Sequence, residues 1–342
     1  MNKFFYLLAF SLILLILTNV GCSKKVQNTL YIYNWTYYIP ENIIKDFEQK
    51  FKVKVVYDVY SSNEEMFAKL KAGGKGYDLV FPSGDFVKIM IKEKMLEAID
   101  KSKVPNFQYM DTQILKKINY DPGCAYSVPY MMGTAGIAVN KKFVKNYEHS
   151  SNIFKRRDLQ GKMTLLDDMR EVMGLALKNL GYSVNTTNKE ELEKAKTLIL
   201  EWKKNILKFD AESFAKGFAA GEFWVVQGYA ENIYLELDEN QQQDVDYFIP
   251  KEGSAMYIDS MVILKDATHI ELAYKFINYI LEPQVFAQIL DYLRLPAINT
   301  EARKYVKNQP HYQVNDLMNC EIKEDLGQDV ELYNRIWEEI RM

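Results

Sequence analysis

A two-lobed α/β fold is predicted, on three observations. Strand and helix patterns alternate three times within the first hundred residues; the 342-residue chain is long enough for two separate cores; and glycine-bearing extended segments after residue 125 read as passages between lobes. Three such units in succession predict a parallel, doubly wound sheet. In the first unit, Leu30-Tyr31-Ile32-Tyr33 reads as a short buried strand, and Ile43, Ile44, Phe47 and Phe51 recur at helical spacing over 41–51. The loop between them carries Trp35, Thr36, Tyr37 and Tyr38. Ligands of open α/β sheets sit outside the carboxyl ends of the strands, where this loop projects. Aromatic faces there, with no glycine-rich phosphate cradle and no histidine, suit an apolar or cationic ligand. The same rings could equally pack over the first helix.

The second unit is a strand over 53–60 and a helix opened by Ser62-Asn63-Glu64-Glu65, which has capping-box spacing, and stopped by Gly73-Gly74. The third is Tyr77-Asp78-Leu79-Val80-Phe81, then Pro82-Ser83-Gly84-Asp85 and a helix to about Lys94. Gly73-Gly74-Lys75-Gly76 lacks the spacing of a phosphate loop and precedes a strand, so it reads as a helix stop. A crossing is expected from Tyr126 onward through Gly133-Thr134-Ala135-Gly136, followed by strands near 163–166, 206–209, 223–227 and 245–249. A second capping box, Thr187-Asn188-Lys189-Glu190, opens a long helix, and 256–264 reads as a return strand before a helix at 271–277. The expected division is 30–133 with about 260–300, and 134–259 with about 301–342, joined by a hinge.

At the amino end, a basic start (Lys3) precedes an apolar run over 4–17 broken only by Ser11, too short to span a bilayer and suited to a signal peptide over 1–21. Gly21-Cys22 resembles the lipobox of bacterial lipoproteins, although Asn19 stands where leucine is usual; the resemblance implies lipid on Cys22, a tether over 22–29 and an exported, membrane-anchored domain. An ordinary signal peptide cut nearby is the alternative. Cys124 and Cys320 then remain, to pair or stay free, and two thiols are no disulfide framework. Forty-three cations against 46 acids give −3, and loss of Lys3 makes 42 against 46, or −4. That near-balance argues against nucleic acid.

Three later stretches carry candidate ligand groups. Asp168 and Glu171 lie in a first helical turn and share a face, where the helix dipole favours their ionised forms; the pair could also be a plain cap. Gly221 to Asn232 again reads as strand, turn and helix start, with Gln227 and Tyr229 as candidates. Tyr257 and Asp259, two apart in a strand, face one way, and an aspartate in an apolar strand needs a cationic or hydrogen-bonding partner, which a lysine of the chain could also supply.

Taken together, Asn34-Trp35-Thr36-x-Tyr38-Ile39-Pro40, Tyr77-Asp78-Leu79-Val80-x-Pro82-Ser83, Ser127-Val128-Pro129-Tyr130, Leu166-x-Asp168-x-Arg170-Glu171-Val172 and Asp259-Ser260 resemble the spermidine/putrescine-binding proteins of bacterial ABC importers. The resemblance implies a type II periplasmic-binding-protein fold of two mostly parallel sheets flanked by helices, and a polyamine gripped between the lobes. It also implies delivery to a membrane permease. It implies a box of rings around the methylene chain and carboxylates on the amines, at Trp35, Thr36, Tyr38, Ser83, Asp168, Glu171, Tyr229, Tyr257 and Asp259. Asp85 stands near an expected tyrosine and adds a carboxylate; Leu295 stands for an aromatic and Lys323 for a glutamine. If Lys323 reaches the cleft, its charge favours a diamine over a triamine. No cofactor, no resident metal and no enzymatic activity are expected, and the protein is expected to be a monomer. Alternatives are a ferric-ion-binding protein of this fold using Tyr37-Tyr38, a surface lipoprotein with an interaction role, and an exported hydrolase. The last is opposed by only three scattered histidines, His149, His269 and His311.

Overall fold

The computed structural model describes residues 28–36, 38–74 and 76–342. The signal segment, Cys22, most of the tether and Tyr37 lie outside the described residues.

The three opening units form as the periodicity requires. Strands β1 (Thr29–Trp35), β2 (Lys54–Tyr60) and β3 (Leu79–Val80) pair in parallel, with β1 between the other two. Helices α1 (Glu41–Phe51), α2 (Asn63–Lys71) and α3 (Gly84–Lys92) follow them. Ile43 and Phe47 bury the inner face of α1, and Phe47 meets Phe276 edge-on at 4.9 Å. The cap of α2 is half the expected box: Ser62 Oγ accepts from Glu65 N, but the Glu65 carboxylate turns to Ser61 N and Oγ. The next expected box shifts by one residue. Asn188 rather than Thr187 caps the long helix (Lys189–Lys203), its Oδ1 accepting from Glu190 N and Glu191 N, while the Glu191 carboxylate accepts from Thr186 Oγ1.

Strand β4 (Val128–Thr134) belongs to the first sheet and β5 (Gly136–Asn140) to the second, with Ala135 alone between them. The second sheet runs β7 (Ile206–Phe209), β6 (Met163–Leu165), β8 (Val225–Gly228), β5, β9 (Val245–Phe248). Its strands β7, β6 and β8 are parallel, whereas β5 pairs antiparallel with β8 and β9. The chain returns in β10 (Ala255–Ile263), antiparallel to both β4 and β3, and the short β11 (Glu321–Ile322) joins β10 in parallel. Both sheets are therefore mixed, since a strand that crosses and comes back must run against its neighbours. The carboxyl-terminal helix (Val330–Arg341) ends in the second lobe, where Lys203 Nζ donates to the Ile340 carbonyl and Arg341 pairs with Asp167. The described cysteines, Cys124 and Cys320, are free and buried.

Glycine at the crossing has a packing reason. A Cβ on Gly136 would lie 2.6 Å from the Tyr247 hydroxyl oxygen and 2.7 Å from the Phe248 carbonyl oxygen, and the latter is backbone that cannot turn aside. Gly136→Ala should destabilise the protein by about 1–3 kcal/mol, the usual range for overpacking, read as a lowered urea midpoint.

Candidate functional site

The site grows from a register slip between β10 and β4. Residues 256–259 pair with β4 up to Asp259↔Met131, the next pair is Ser260↔Pro129, and Tyr130 is left over as a bulge. Bulges re-aim side chains. Tyr130 turns inward, packs edge-on against Tyr38 and Phe81 at 5.3 and 5.2 Å, and donates its hydroxyl to the Tyr38 carbonyl. Asp259 is then met from the opening loops: Tyr38 OH donates to Oδ2 and Ser83 Oγ to Oδ1, each at 2.6 Å. Ser83 precedes α3 but does not cap it, because its hydroxyl is spent on Asp259 and it is held by Asn63. Trp35 donates its indole N–H to the Phe81 carbonyl, which fixes its ring against Tyr60. Thr36 is exposed and donates to the Tyr60 carbonyl instead of joining the acids.

The second lobe contributes a helix terminus. Asp168 caps α4 (Met169–Asn179) through Glu171 N, so the cap reading holds for Asp168, but the Glu171 side chain goes elsewhere. It is fully buried, accepts from Tyr229 OH at 3.2 Å, and forms an ion pair with Lys323 Nζ at 2.5 Å. Its other oxygen has no hydrogen-bond partner among the described residues. Gln227 is used within the lobe: its amide joins Leu166 N and the Glu171 carbonyl, each at 3.3 Å, and so supports the turn that carries the acid. Arg170 points away, to Asn185 and the Glu324 carbonyl. Tyr229 and Tyr257 meet at 6.2 Å from opposite sheets, and a cavity of about 50 Å³ is lined by Asn63, Ser83, Asp85, Tyr257 and Lys323 among others.

Leu295 is buried. Lys323, 152 residues from Glu171, reaches the cleft because β11 docks beside β10, and its own N–H donates to the Met256 carbonyl. No local pattern around Lys323 reveals this pairing. Asn63 also escaped the sequence reading as a site residue, and its one signal is position, at the start of a helix that follows a sheet strand.

Burial dominates the electrostatics. It pushes the Asp259 carboxyl up to about 6, with Asp85 adding to the rise and the Ser83 and Tyr38 hydroxyls and Lys323 opposing it. Asp85 and Glu171 are raised for the same reason, Lys323 opposing in each case. Burial lowers Lys323, but Glu171, Asp168 and Asp85 together win and hold it above the ordinary lysine value. Glu231 rises to about 7 by burial, with Asp259 adding to it. Among the described residues, no group of three or more His, Cys, Asp and Glu could hold a metal ion, and no helix is long and apolar enough to cross a membrane.

A cleft of buried acids and rings between two mixed α/β sheets, with hydroxyl donors and a lysine, has the make-up of a solute-binding site. The chain belongs to the bacterial extracellular solute-binding proteins, whose family model matches residues 42–314. It is 35% identical to the spermidine/putrescine-binding periplasmic protein of Escherichia coli over 324 residues, covering 92% of each chain. Its fold is that of the TpPotD lipoprotein of Treponema pallidum, with a TM-score of 0.88 and 49% identity over 92% of this chain and 99% of that one. It is also similar to the spermidine/putrescine ABC transporter substrate-binding protein PotD of Streptococcus pneumoniae, with a TM-score of 0.85 and 26% identity over 92% of this chain and all of that one.

Removing one partner of the Lys323–Glu171 pair strands a buried charge. Lys323→Met should cost about 3–5 kcal/mol of unfolding free energy, and adding Glu171→Gln should recover most of it; urea denaturation of the ligand-free double-mutant cycle measures both.

Proposed function

We propose that this protein captures a polyamine outside the cytoplasm, a diamine in preference to a triamine, and hands it to the permease of an ABC importer. The observation that carries the reading is the convergence of Trp35, Tyr38, Ser83 and Asp259 from one sheet with Asp168, Glu171 and Tyr229 from the other on a seam whose acids outnumber its one lysine. We assign Trp35, Tyr38, Tyr229 and Tyr257 to the methylene chain, and Asp259, Asp168, Glu171, Asp85 and Ser83 to the ammonium groups. Thr36 contributes through its backbone turn and Gln227 through the support of Glu171. The named relatives support the ligand class and the transporter. We further assign lipid to Cys22 on the Gly21-Cys22 match and the likeness to a lipoprotein, and treat the protein as a monomer. By sheet membership, one lobe takes 29–134 and 255 to about 300, and the other takes 136–248 and the carboxyl-terminal helix.

Magnitudes favour the diamine. Lys323 already occupies Glu171, so a third ammonium finds that acid taken and, about 5 Å from the lysine, meets a repulsion of up to about 3 kcal/mol at an effective dielectric constant of about 20 before Glu171 offsets part of it. A charge-assisted hydrogen bond returns only about 1.5–3 kcal/mol. The lysine tips the balance. Two ammonium groups with such bonds, and rings adding about 0.5–2 kcal/mol each, are sufficient for the roughly 8 kcal/mol of micromolar binding.

Calorimetry with putrescine, cadaverine, spermidine and spermine tests this. Putrescine or cadaverine should bind at least tenfold more tightly than spermidine, and Lys323→Gln should narrow or reverse that gap. Failure of every polyamine to bind would end the reading. The pH dependence follows from Asp259. Its carboxyl is protonated below about 6 in the free protein and must ionise to hold an ammonium, so affinity should fall as pH drops through 6, by up to about tenfold per unit for one group.

A further inference from the structure

Asn63 opens α2 and is not its cap. An asparagine at a helix start ordinarily accepts from the backbone of the first turn, yet Ser62 fills that role here, accepting from Glu65 N at 3.1 Å. The Asn63 side chain turns instead to Ser83, in the loop between β3 and α3. It accepts from Ser83 N at 3.1 Å and donates to Ser83 Oγ at 3.0 Å. Both residues line the cavity that Asp85, Tyr257 and Lys323 share. Ser83 in turn donates to Asp259 Oδ1 at 2.6 Å, and Tyr38 donates to Oδ2 at the same distance.

The direction of every bond in this series is fixed by the groups at its ends. A backbone N–H can only donate, so the amide atom facing Ser83 N is the Asn63 oxygen, and the atom facing Ser83 Oγ is the amide nitrogen, which also can only donate. An ionised carboxylate can only accept. Ser83 Oγ therefore receives a hydrogen from Asn63 and sends its own single hydrogen to Asp259. One lone pair of Oγ is left for a ligand N–H. The loop itself is held without Asn63: Ser260 N donates to the Pro82 carbonyl, Val87 N donates to the Ser83 carbonyl, each at 2.9 Å, and Ser83 and Asp259 form a backbone bridge. What Asn63 decides is where the hydroxyl hydrogen goes. Without that donor the hydrogen is shared among several orientations, and the bond that favours the ionised acid weakens.

We propose that Asn63 is a positioning residue of the ligand site: by donating to Ser83 Oγ it commits the serine hydrogen to Asp259 and so keeps that carboxylate aligned and ionised to receive an ammonium group. This rests on the polyamine reading of the site and deepens it. Weakening the Ser83 bond pushes the Asp259 carboxyl above its value of about 6, and an ammonium group needs the ionised acid. Loss of Asn63 therefore lowers affinity on the acid side of the Asp259 midpoint and leaves it nearly unchanged on the alkaline side. The charged and titratable groups in electrostatic reach of Asp259 are Asp85, Lys323, Glu231 and the phenols of Tyr38, Tyr60, Tyr120, Tyr130 and Tyr257. All of them are common to wild type and variant, so a difference between the two pH profiles belongs to Asn63.

The test is calorimetry of putrescine at pH 5.5 and pH 8 with wild type, Asn63→Ala, Ser83→Ala and the double variant. Asn63→Ser is measured alongside as a second replacement, too short to reach both Ser83 atoms. Ser62 keeps the cap of α2, so both Asn63 variants should melt near the wild-type temperature. At pH 5.5 each Asn63 variant should bind at least about threefold more weakly than wild type, the size of one modest hydrogen bond. At pH 8 its affinity should return to within about twofold. In the Ser83→Ala background, Asn63→Ala should change nothing further at either pH. A loss that is equal at the two pH values, that falls short of threefold at pH 5.5, or that persists without the Ser83 hydroxyl overturns the proposal and leaves the polyamine reading intact. A wild-type protein that binds no polyamine overturns both.

Discussion

Negative charge held out of water must find positive charge, and the seam between the two sheets is organised by that requirement. The carboxylates are put there by backbone pairing. Asp259 is held at the seam where the pairing of β10 with β4 slips by one residue, the bulge at Tyr130 absorbing the difference, while Ser83 beyond the end of β3 bridges it on the other edge. Its oxygens meet hydroxyls of Tyr38 and Ser83, which can donate without bringing a charge. Hydroxyl donors soften the cost of desolvation without neutralising the acid, so an external cation still gains from arriving.

Glu171 is treated differently, and the contrast is informative. It is fully buried and takes a lysine from the last quarter of the chain. A buried ion pair gains little net stability, because desolvating two charges offsets most of their attraction. What it does is set the shape of the charge distribution. At one end of the cleft a cation of the chain already sits on an acid, and Asp259 is left with hydroxyl donors alone. If the ligand is a linear polyamine, ligand length is read as the number of ammonium groups that fit beside the lysine already there.

The elements were legible where local rules act alone. The alternation of the first three units, the cap at Asp168 and the shared face of Tyr257 and Asp259 follow from period, spacing and helix-end chemistry, and the structure has them. Ser83 was legible as a loop residue at a strand end, but its bond to Asp259 spans 176 positions, and only the antiparallel return of β10 makes it. Lys323 could be noticed as a charge but not placed, since its position depends on a two-residue strand docking against β10. Gln227 was legible as a candidate near a strand end but not as a brace inside its own lobe.

The same charges also govern the relation between the lobes. With Lys323 counted, the seam keeps more acid than base, and a carboxylate confined there without a ligand rises in proton affinity, as Asp259 does. A dication removes that penalty by the amount it stabilises those acids. A ligand shifts an equilibrium between two forms of a protein only by its differential affinity for them, and acids supplied by both sheets are the source that such a difference would need. Lys323 limits the penalty to what one small dication can repay. Were Glu171 left without its lysine, closure would demand a further positive charge, and a diamine would no longer suffice.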